Sequence, residues 1–350
     1  MTGPQTDEPG AAEVDLVRSR LTIDLFSVPL GVAALGTSWT VLAPALPGAA
    51  LVGDVIEVLA AIGWVGMTSV YVAHVIRDRT GLADFRHPTW GPLTAYIPVI
   101  GMIVATHFVV RTGLAELGYV IVALSALLLL VEGWLLRTWV VGRFAFNSFH
   151  PGYLLPLVAG AFVASLGLAV AGFDTVAWAA MGVGFFFWVV VGTGVIGRLV
   201  FGPRLPDAGR PTIAILLSPP ATAASAWFAL AGGEPGPVLY MILGVLAIVL
   251  VSQLMLLPVY LRSPFSLAFW AFTFPLCATV TVAVRILAVA QPAAWGATSV
   301  GLVLLASAVI TAIGVRSFGV LSAKSRPPTK VSRRKNRLKR AAQRPTAKES

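Results

Sequence analysis

The chain has 350 residues, of which 57% are hydrophobic and only 11% are charged. A soluble globular protein carries about a quarter charged residues, so this composition excludes that class. The net charge of +10 arises from one segment: residues 323–350 hold eleven Lys/Arg and one acid, and the rest of the chain is neutral. A charge confined to such a segment does not indicate a folded face that binds nucleic acid.

Ten apolar segments are each long enough for a helix to cross a bilayer, which takes about 20 residues. Their predicted bounds are 25–43, 52–76, 91–110, 114–136, 151–172, 174–198, 211–231, 236–260, 265–290 and 293–316. The predicted fold class is therefore an all-α polytopic membrane protein built from five helical hairpins. Residues 1–24 are predicted to be a flexible cytosolic leader, since they are too polar for a signal peptide, and 317–350 a disordered basic cytosolic tail.

The distribution of Lys and Arg predicts the orientation. The side that holds both termini collects 23 of the 25 basic residues, whereas Arg111 lies on the other side and Arg285 within the ninth segment. Because cytoplasmic loops are rich in Lys and Arg, both termini are predicted to be cytosolic, in the cytoplasmic membrane. The tail either attracts anionic lipid headgroups or is only a solvated orientation signal.

Every odd-numbered segment contains a proline: Pro29, Pro98, Pro156, Pro219 and Pro275. Proline removes a helical hydrogen bond, and in lipid the freed carbonyl needs a partner. We therefore expect the odd-numbered helices to be kinked and to form an inner ring around a pore, with the even-numbered helices outside. The alternative is chance, because proline is common in membrane helices.

The predicted cytosolic ends of these helices combine a second proline with a preceding histidine or arginine. A second proline opens four of them, and His87, His150 and Arg210 each precede one of those prolines. Helix N-termini carry partial positive charge, so a ring of them beside these side chains predicts a mouth that concentrates anions. For His87 and His150, capping and interfacial packing is the alternative.

The odd-numbered segments contain only two ionisable side chains, His107 and Arg285, both near the outer end. A proton-coupled carrier usually needs a titratable group within the membrane, so this lining favours passive permeation. Arg285 is either a snorkelling anchor or part of an outer electropositive ring. On the even-numbered segments, Asp54, Glu57 and Glu132 either pair between helices or have a proton or substrate role, and Arg111 is expected to pair with Glu116.

Phe274 stands directly before Pro275 in the ninth segment. An aromatic side chain at such a position can close a narrow passage, although ordinary packing is the alternative. Cys277, three residues further, is expected on the same helical face as a thiol close to the pore.

The sequence contains no convincing enzyme motif. The string GTGVIG at residues 192–197 has the spacing of a dinucleotide-binding loop, but it lies inside an apolar span with no preceding strand. Its glycines are therefore interpreted as allowing close helix packing. With one cysteine there is no intrachain disulfide and no cysteine cluster for a metal. The sequence therefore predicts no enzyme, no cofactor and no metal site.

Several strings together resemble the tellurite-resistance/dicarboxylate transporter family. They are FSVPLGVAAL from Phe26, YIPVIG around Pro98, FHPGYLLPLVAG from Phe149, PTIAILLSPP from Pro211 and FWAFTFPLCAT from Phe269. That family includes bacterial tellurite-resistance membrane proteins, yeast malate and sulfite transporters and plant slow anion channels. The resemblance spans about residues 25–316.

The resemblance implies five hairpins around a central pore, a homotrimer with one conduit in each subunit, and Phe274 as the residue that occludes the pore. It implies small inorganic or organic anions as the permeating partners without deciding among chloride, nitrate, dicarboxylates and oxyanions. An anion channel or facilitator is thus the first hypothesis. A proton-coupled four-carbon dicarboxylate, sulfite or tellurite transporter, using Glu132 or His107, is the second, and a membrane scaffold without transport is the third.

Overall fold

The computed structural model describes residues 22–78, 81–142 and 144–325, and within them the regular structure is helical, without strands. Ten helices, labelled α1 to α10, are α1 Ser27–Val41, α2 Ala49–Asp78, α3 Tyr96–Thr112, α4 Glu116–Val141, α5 Ala161–Val170, α6 Asp174–Phe201, α7 Ser218–Leu230, α8 Pro237–Arg262, α9 Thr273–Ala290 and α10 Trp295–Ser325. A short helix, Gly81–Arg86, precedes α3. Helix α10 continues past the predicted end at 316, while almost all of the predicted leader and the residues of the tail beyond 325 lie outside the described residues.

Each odd-numbered helix is preceded by a tighter 3-10 helical segment, a feature that the sequence does not predict. These segments are Ile23–Phe26, Gly91–Ala95, Pro151–Leu154, Asp207–Leu217 and Leu267–Phe272. In the third hairpin a π-helical stretch, Leu155–Gly160, lies between the 3-10 segment and α5. The five prolines expected to kink continuous helices instead lie in the first turn after the 3-10 segment, where a missing N–H and a fixed φ are tolerated.

Nine helices within the described ranges are long and apolar enough to cross a membrane. The remaining one, α1, has 15 residues and continues directly from the four residues of Ile23–Phe26. Of the nine, the odd-numbered spans have 44% to 83% of their most apolar stretch buried, against 17% to 28% in the even-numbered spans. The odd-numbered helices are therefore interior and the even-numbered helices peripheral, and the chain is a multi-pass membrane protein.

The five odd-numbered helices form a closed ring. Helix α1 contacts α3, α3 contacts α5, α5 contacts α7, α7 contacts α9, and α9 returns to α1. Each even-numbered helix packs against the odd-numbered helix that precedes it in the chain. We call the end at which the odd-numbered helices begin the N-terminal face. Helix α10 ends at this face too, since Trp270 Nε1 donates a hydrogen bond to Ser317 Oγ at 2.9 Å.

Candidate functional site

Two small spaces lie inside the ring, one on each side of Phe274, and each has lining residues from all five odd-numbered chain segments. The inner space, toward the N-terminal face, has a volume of about 20 Å³. The outer space, toward the opposite face, has a volume of about 50 Å³. The inner space is lined at the level of the prolines by residues that include Ser27, Tyr96, Leu155, Ser218 and Pro275.

Phe274 is the residue that lines both spaces. The residue is 7% exposed, so its ring is packed among the interior helices. Phe274 is the second residue of α9, and Thr273 Oγ1 donates a hydrogen bond to the Trp270 carbonyl at 2.7 Å, where the 3-10 segment meets this helix. The backbone conformation therefore changes directly beside the phenylalanine.

The outer space has an apolar wall with four hydroxyl groups, from Thr37, Thr222, Ser225 and Thr281. Thr222 donates to the Ser218 carbonyl at 2.8 Å, and Thr281 lies 3.0 Å from the Ser38 hydroxyl. No carboxylate is among the lining residues of either space. The lining can offer hydroxyl groups to a solute without presenting a fixed negative charge.

A polar network adjoins the outer space, and its link to the lining is not predictable from residue spacing. Thr37 donates a hydrogen bond to Glu57 Oε1 at 3.0 Å, and Glu57 is fully buried, with Oε2 unpartnered within the described residues. His107 Nε2 lies 3.0 Å from Asp54 Oδ1, and Arg111 holds Asp54 with two hydrogen bonds of 2.7 and 2.8 Å. These groups come from α1, α2 and α3.

Arg111 does not show the expected pairing with Glu116. It forms an ion pair with Asp54, on the adjacent helix α2, and the bidentate geometry suits a guanidinium and a carboxylate. Glu116 begins α4 on the other side of the turn. The two acids Asp54 and Glu57 thus engage in contacts between helices, the first of the two interpretations drawn from sequence.

Glu132 lies away from the ring axis. It lines a cavity of about 290 Å³ between α4, α5 and α6, whose other walls are apolar or small side chains with the Ser125 hydroxyl. Its Oε1 atom is buried without a hydrogen-bond partner in the described part of the chain. Glu132 therefore has no contact with either axial space.

His87 and His150 both cap backbone at the N-terminal face. His87 Nδ1 accepts from the N–H groups of Thr89 and Trp90, each at 3.2 Å. His150 Nδ1 accepts from Gly152 N–H at 3.1 Å, while its Nε2 donates to the Thr89 carbonyl at 3.2 Å. These are the capping contacts that the sequence left as an alternative to an anion-facing role.

Burial also keeps both imidazoles neutral. It lowers the pKa of His87, although nearby Asp84 opposes the change. Burial lowers the pKa of His150 to about 4, against the opposing effect of its hydrogen bond to Thr89. Arg210, the third residue of the predicted mouth, has an ion pair with Asp207 at 2.7 Å. None of these three side chains therefore provides an uncompensated positive charge at this face.

Cys277 lies off the expected face. It is fully buried, lines neither space, and its carbonyl accepts a hydrogen bond from Ser38 on α1 at 3.1 Å. The lining row on α9 runs Phe274, Ala278, Thr281, at spacings of four and three. With about 100° per residue, position 277 is rotated by roughly 60° from position 274, toward α1.

The GTGVIG string lies inside α6 and makes close contacts with other elements. A Cβ atom at Gly194 would lie 3.3 Å from the ring of Phe149, so the missing side chain lets the loop before α5 pack on this helix. Among the described residues, no group of three His, Cys, Asp or Glu side chains is placed to hold a metal ion.

The architecture defines a class, an all-helical multi-pass membrane protein with five interior helices around small axial spaces. The family model of the voltage-dependent anion channels matches residues 20–318, and the chain belongs to that family. Its members transport anions as channels or transporters and are not enzymes. The resemblance predicted from the sequence, over about residues 25–316, is confirmed.

A curated relative agrees with this assignment. The chain is 26% identical over 253 residues to the tellurite resistance protein TehA homolog of Haemophilus influenzae. The aligned region covers 72% of this chain and 76% of that protein.

Proposed function

We propose that this protein is a passive conduit for small anions, closed in the present structure by the ring of Phe274. The observation that carries the proposal is the position of this one side chain, which lines both axial spaces while all five interior helix segments surround it. A phenylalanine at a constriction can stop permeation by steric block and by excluding water. Rotation of the ring would join the two spaces.

The charge pattern along the ring supports an anion as the permeating species. The 3-10 segments and helices of the ring start at the N-terminal face, where partial positive charge favours anions. The lining of the two spaces contains hydroxyl groups and no carboxylate. A cation would meet no countercharge in this lining.

The membrane setting follows from the sequence. We propose that the N-terminal face is cytosolic, because the loops at that side hold most of the basic residues, and that the membrane is the cytoplasmic membrane. The basic tail would then lie beside anionic lipid headgroups. A homotrimer with one conduit in each subunit, and no nucleic-acid partner, completes the proposed arrangement.

Proton-coupled transport of a four-carbon dicarboxylate, sulfite or a tellurium oxyanion is the second candidate. The name of the relative, a tellurite resistance protein, points to a tellurium oxyanion among these substrates. One observation favours coupling: the buried acid Glu57 touches the lining hydroxyl of Thr37. Glu57, more than Glu132, is then the acid to test, with His107 beside it at 4.0 Å.

Anion flux from proteoliposomes tests the first candidate. We expect Phe274→Ala to raise the flux of chloride or nitrate several-fold, because removal of the ring joins the two spaces. Phe272→Ala is the matched control: its ring packs on Tyr260, with centroids 4.6 Å apart, and lines neither space. Equal flux from correctly folded wild type and Phe274→Ala would refute the gate.

A further inference from the structure

Arg285 extends the lining row of α9 by one more turn. Phe274, Ala278 and Thr281 line the outer space, and Arg285 follows Thr281 by four residues on the same helical face. Its guanidinium carbon lies 5.9 Å from the centre of the Phe228 ring on α7. Phe228 itself follows the lining residue Ser225 by three positions. Arg285 and Phe228 therefore lie directly beyond the outer space, toward the face opposite the N-termini.

No carboxylate in the described part of the chain neutralises Arg285. Its Nε atom is buried and lacks a hydrogen-bond partner there. The other basic residue at this end, Arg111, is bound at two atoms by Asp54. A guanidinium with unfilled donors in a medium of low dielectric attracts an anion much more strongly than one in water.

A hydroxyl group below Arg285 is also unengaged. Thr37, Thr222 and Thr281 each have a side-chain hydrogen bond within the protein. Ser225, the fourth hydroxyl of the outer space, has none among the described residues, and its side chain lines the space. Its O–H is free to donate to an occupant.

We infer that Arg285 and Ser225 form an anion-binding site at the outer side of Phe274, selective for a small monovalent anion such as chloride or nitrate over dicarboxylates. The outer space of about 50 Å³ has room for a few water-sized groups, at about 10–15 Å³ for each, which is fewer than the non-hydrogen atoms of a four-carbon dicarboxylate. The lining of the outer space itself contains no cation, so Arg285 beyond it has no partner that could bind a second carboxylate there. The inference deepens the proposed function and rests on it for the route by which the anion reaches the site.

Equilibrium binding tests the site apart from transport. Purified protein in nanodiscs is titrated with sodium chloride against sodium gluconate at constant ionic strength, and the thermal unfolding midpoint is followed, because a ligand of the folded state raises it. We expect a saturable rise with chloride and none with malate. Arg285→Gln should weaken the apparent chloride affinity by about tenfold or more, since a charge-assisted contact is lost.

Matched variants keep the test decisive. Arg111→Gln, at the same face but outside the site, should retain the chloride response, and Ser225→Ala should weaken it without changing the fold. If Arg285→Gln does not fold, two measurements still test the site: the chloride response of Ser225→Ala, and the comparison of chloride with malate on wild type. An unchanged response in Arg285→Gln and Ser225→Ala, or equal stabilisation of wild type by malate, would overturn the inference.

Flux separates this inference from the proposed function. If chloride binding depends on Arg285 but Phe274→Ala passes no chloride, the binding site is supported and the conduit is refuted. Flux through Phe274→Ala with binding unaffected by Arg285→Gln would keep the conduit and reject the site.

Discussion

The hydroxyl of Thr37, which lines the outer space, donates a hydrogen bond to the fully buried carboxyl of Glu57 at 3.0 Å. The two residues belong to α1 and α2, the helices of the first hairpin. Glu57 therefore touches the conduit lining through one intermediate side chain. This contact makes Glu57 the sharpest test between passive and proton-coupled transport.

We expect anion flux to be driven by the anion gradient alone, in wild type and in Glu57→Gln alike. Gln preserves the shape of the side chain and an acceptor for Thr37 while removing the titratable group. Flux is measured in proteoliposomes with and without an imposed pH gradient, and Glu132→Gln is the control, since it alters a buried acid away from the axis. A pH-driven flux in wild type that Glu57→Gln abolishes would establish the carrier instead.

Removing the Glu57 side chain should destabilise the fold. Glu57→Ala leaves the Thr37 hydroxyl without this acceptor and opens a void between α1 and α2, at a cost of about 2–4 kcal/mol. Thermal unfolding in detergent checks this, and Glu57→Gln should lose less than half as much. Equal losses in the two variants would show that the void and the acceptor contribute nothing.

Thiol labelling tests which face of α9 lines the conduit. Cys277 is buried against α1, so a hydrophilic thiol reagent should label it slowly with or without Phe274. In a Cys277→Ser background, Ala278→Cys should react faster once Phe274→Ala is also present, because Ala278 lines the outer space. Fast labelling of Cys277 and protection of the residue at 278 would reverse this face assignment.

Acid should weaken the cap formed by His150. Burial lowers the pKa of His150 to about 4. Between pH 6.5 and about pH 4, the unfolded chain therefore binds a proton that the folded chain does not bind. The stabilising contribution is therefore complete above pH 6.5 and is lost as pH falls through this window. His150→Asn keeps a capping acceptor and removes the titration. Its unfolding midpoint should fall less between pH 7 and pH 4.5 than that of wild type, and parallel curves would contradict the assignment.

Gly31 is where α1 approaches α9 without room for a side chain. A Cβ atom there would overlap the side chain of Thr273, the residue before Phe274. We expect Gly31→Ala to lower the stability by about 1–3 kcal/mol, because overpacking forces a backbone shift. Gly66→Ala on α2, where nothing lies within 4 Å of the added Cβ, is the control and should be neutral or stabilising. Equal thermal stability of wild type and Gly31→Ala would show that this approach is not tight.

The sequence predicted the hairpins and the interior position of the odd-numbered helices because the bilayer imposes span lengths and forbids unpaired backbone. Features that depend on the rotation of a helix about its axis, or on the local backbone conformation, could not be predicted from the sequence. Cys277 and Ala278 differ by one residue, yet only Ala278 faces the space. Arg111 pairs with Asp54, 57 positions away, instead of the nearby Glu116, since only the packing of α2 on α3 brings them together. The 3-10 segments were not predicted because a proline is found both at a kink inside a helix and in the first turn of a new helix, so the sequence does not distinguish the two.

Single-channel recording of Phe274→Ala in a planar bilayer, under a gradient of potassium chloride, tests the gate and the selectivity together. We expect openings with a larger conductance than in wild type, and a current that reverses near the chloride equilibrium potential. Currents that match wild type in folded Phe274→Ala, or that reverse near the potassium potential, would contradict a chloride conduit closed by Phe274.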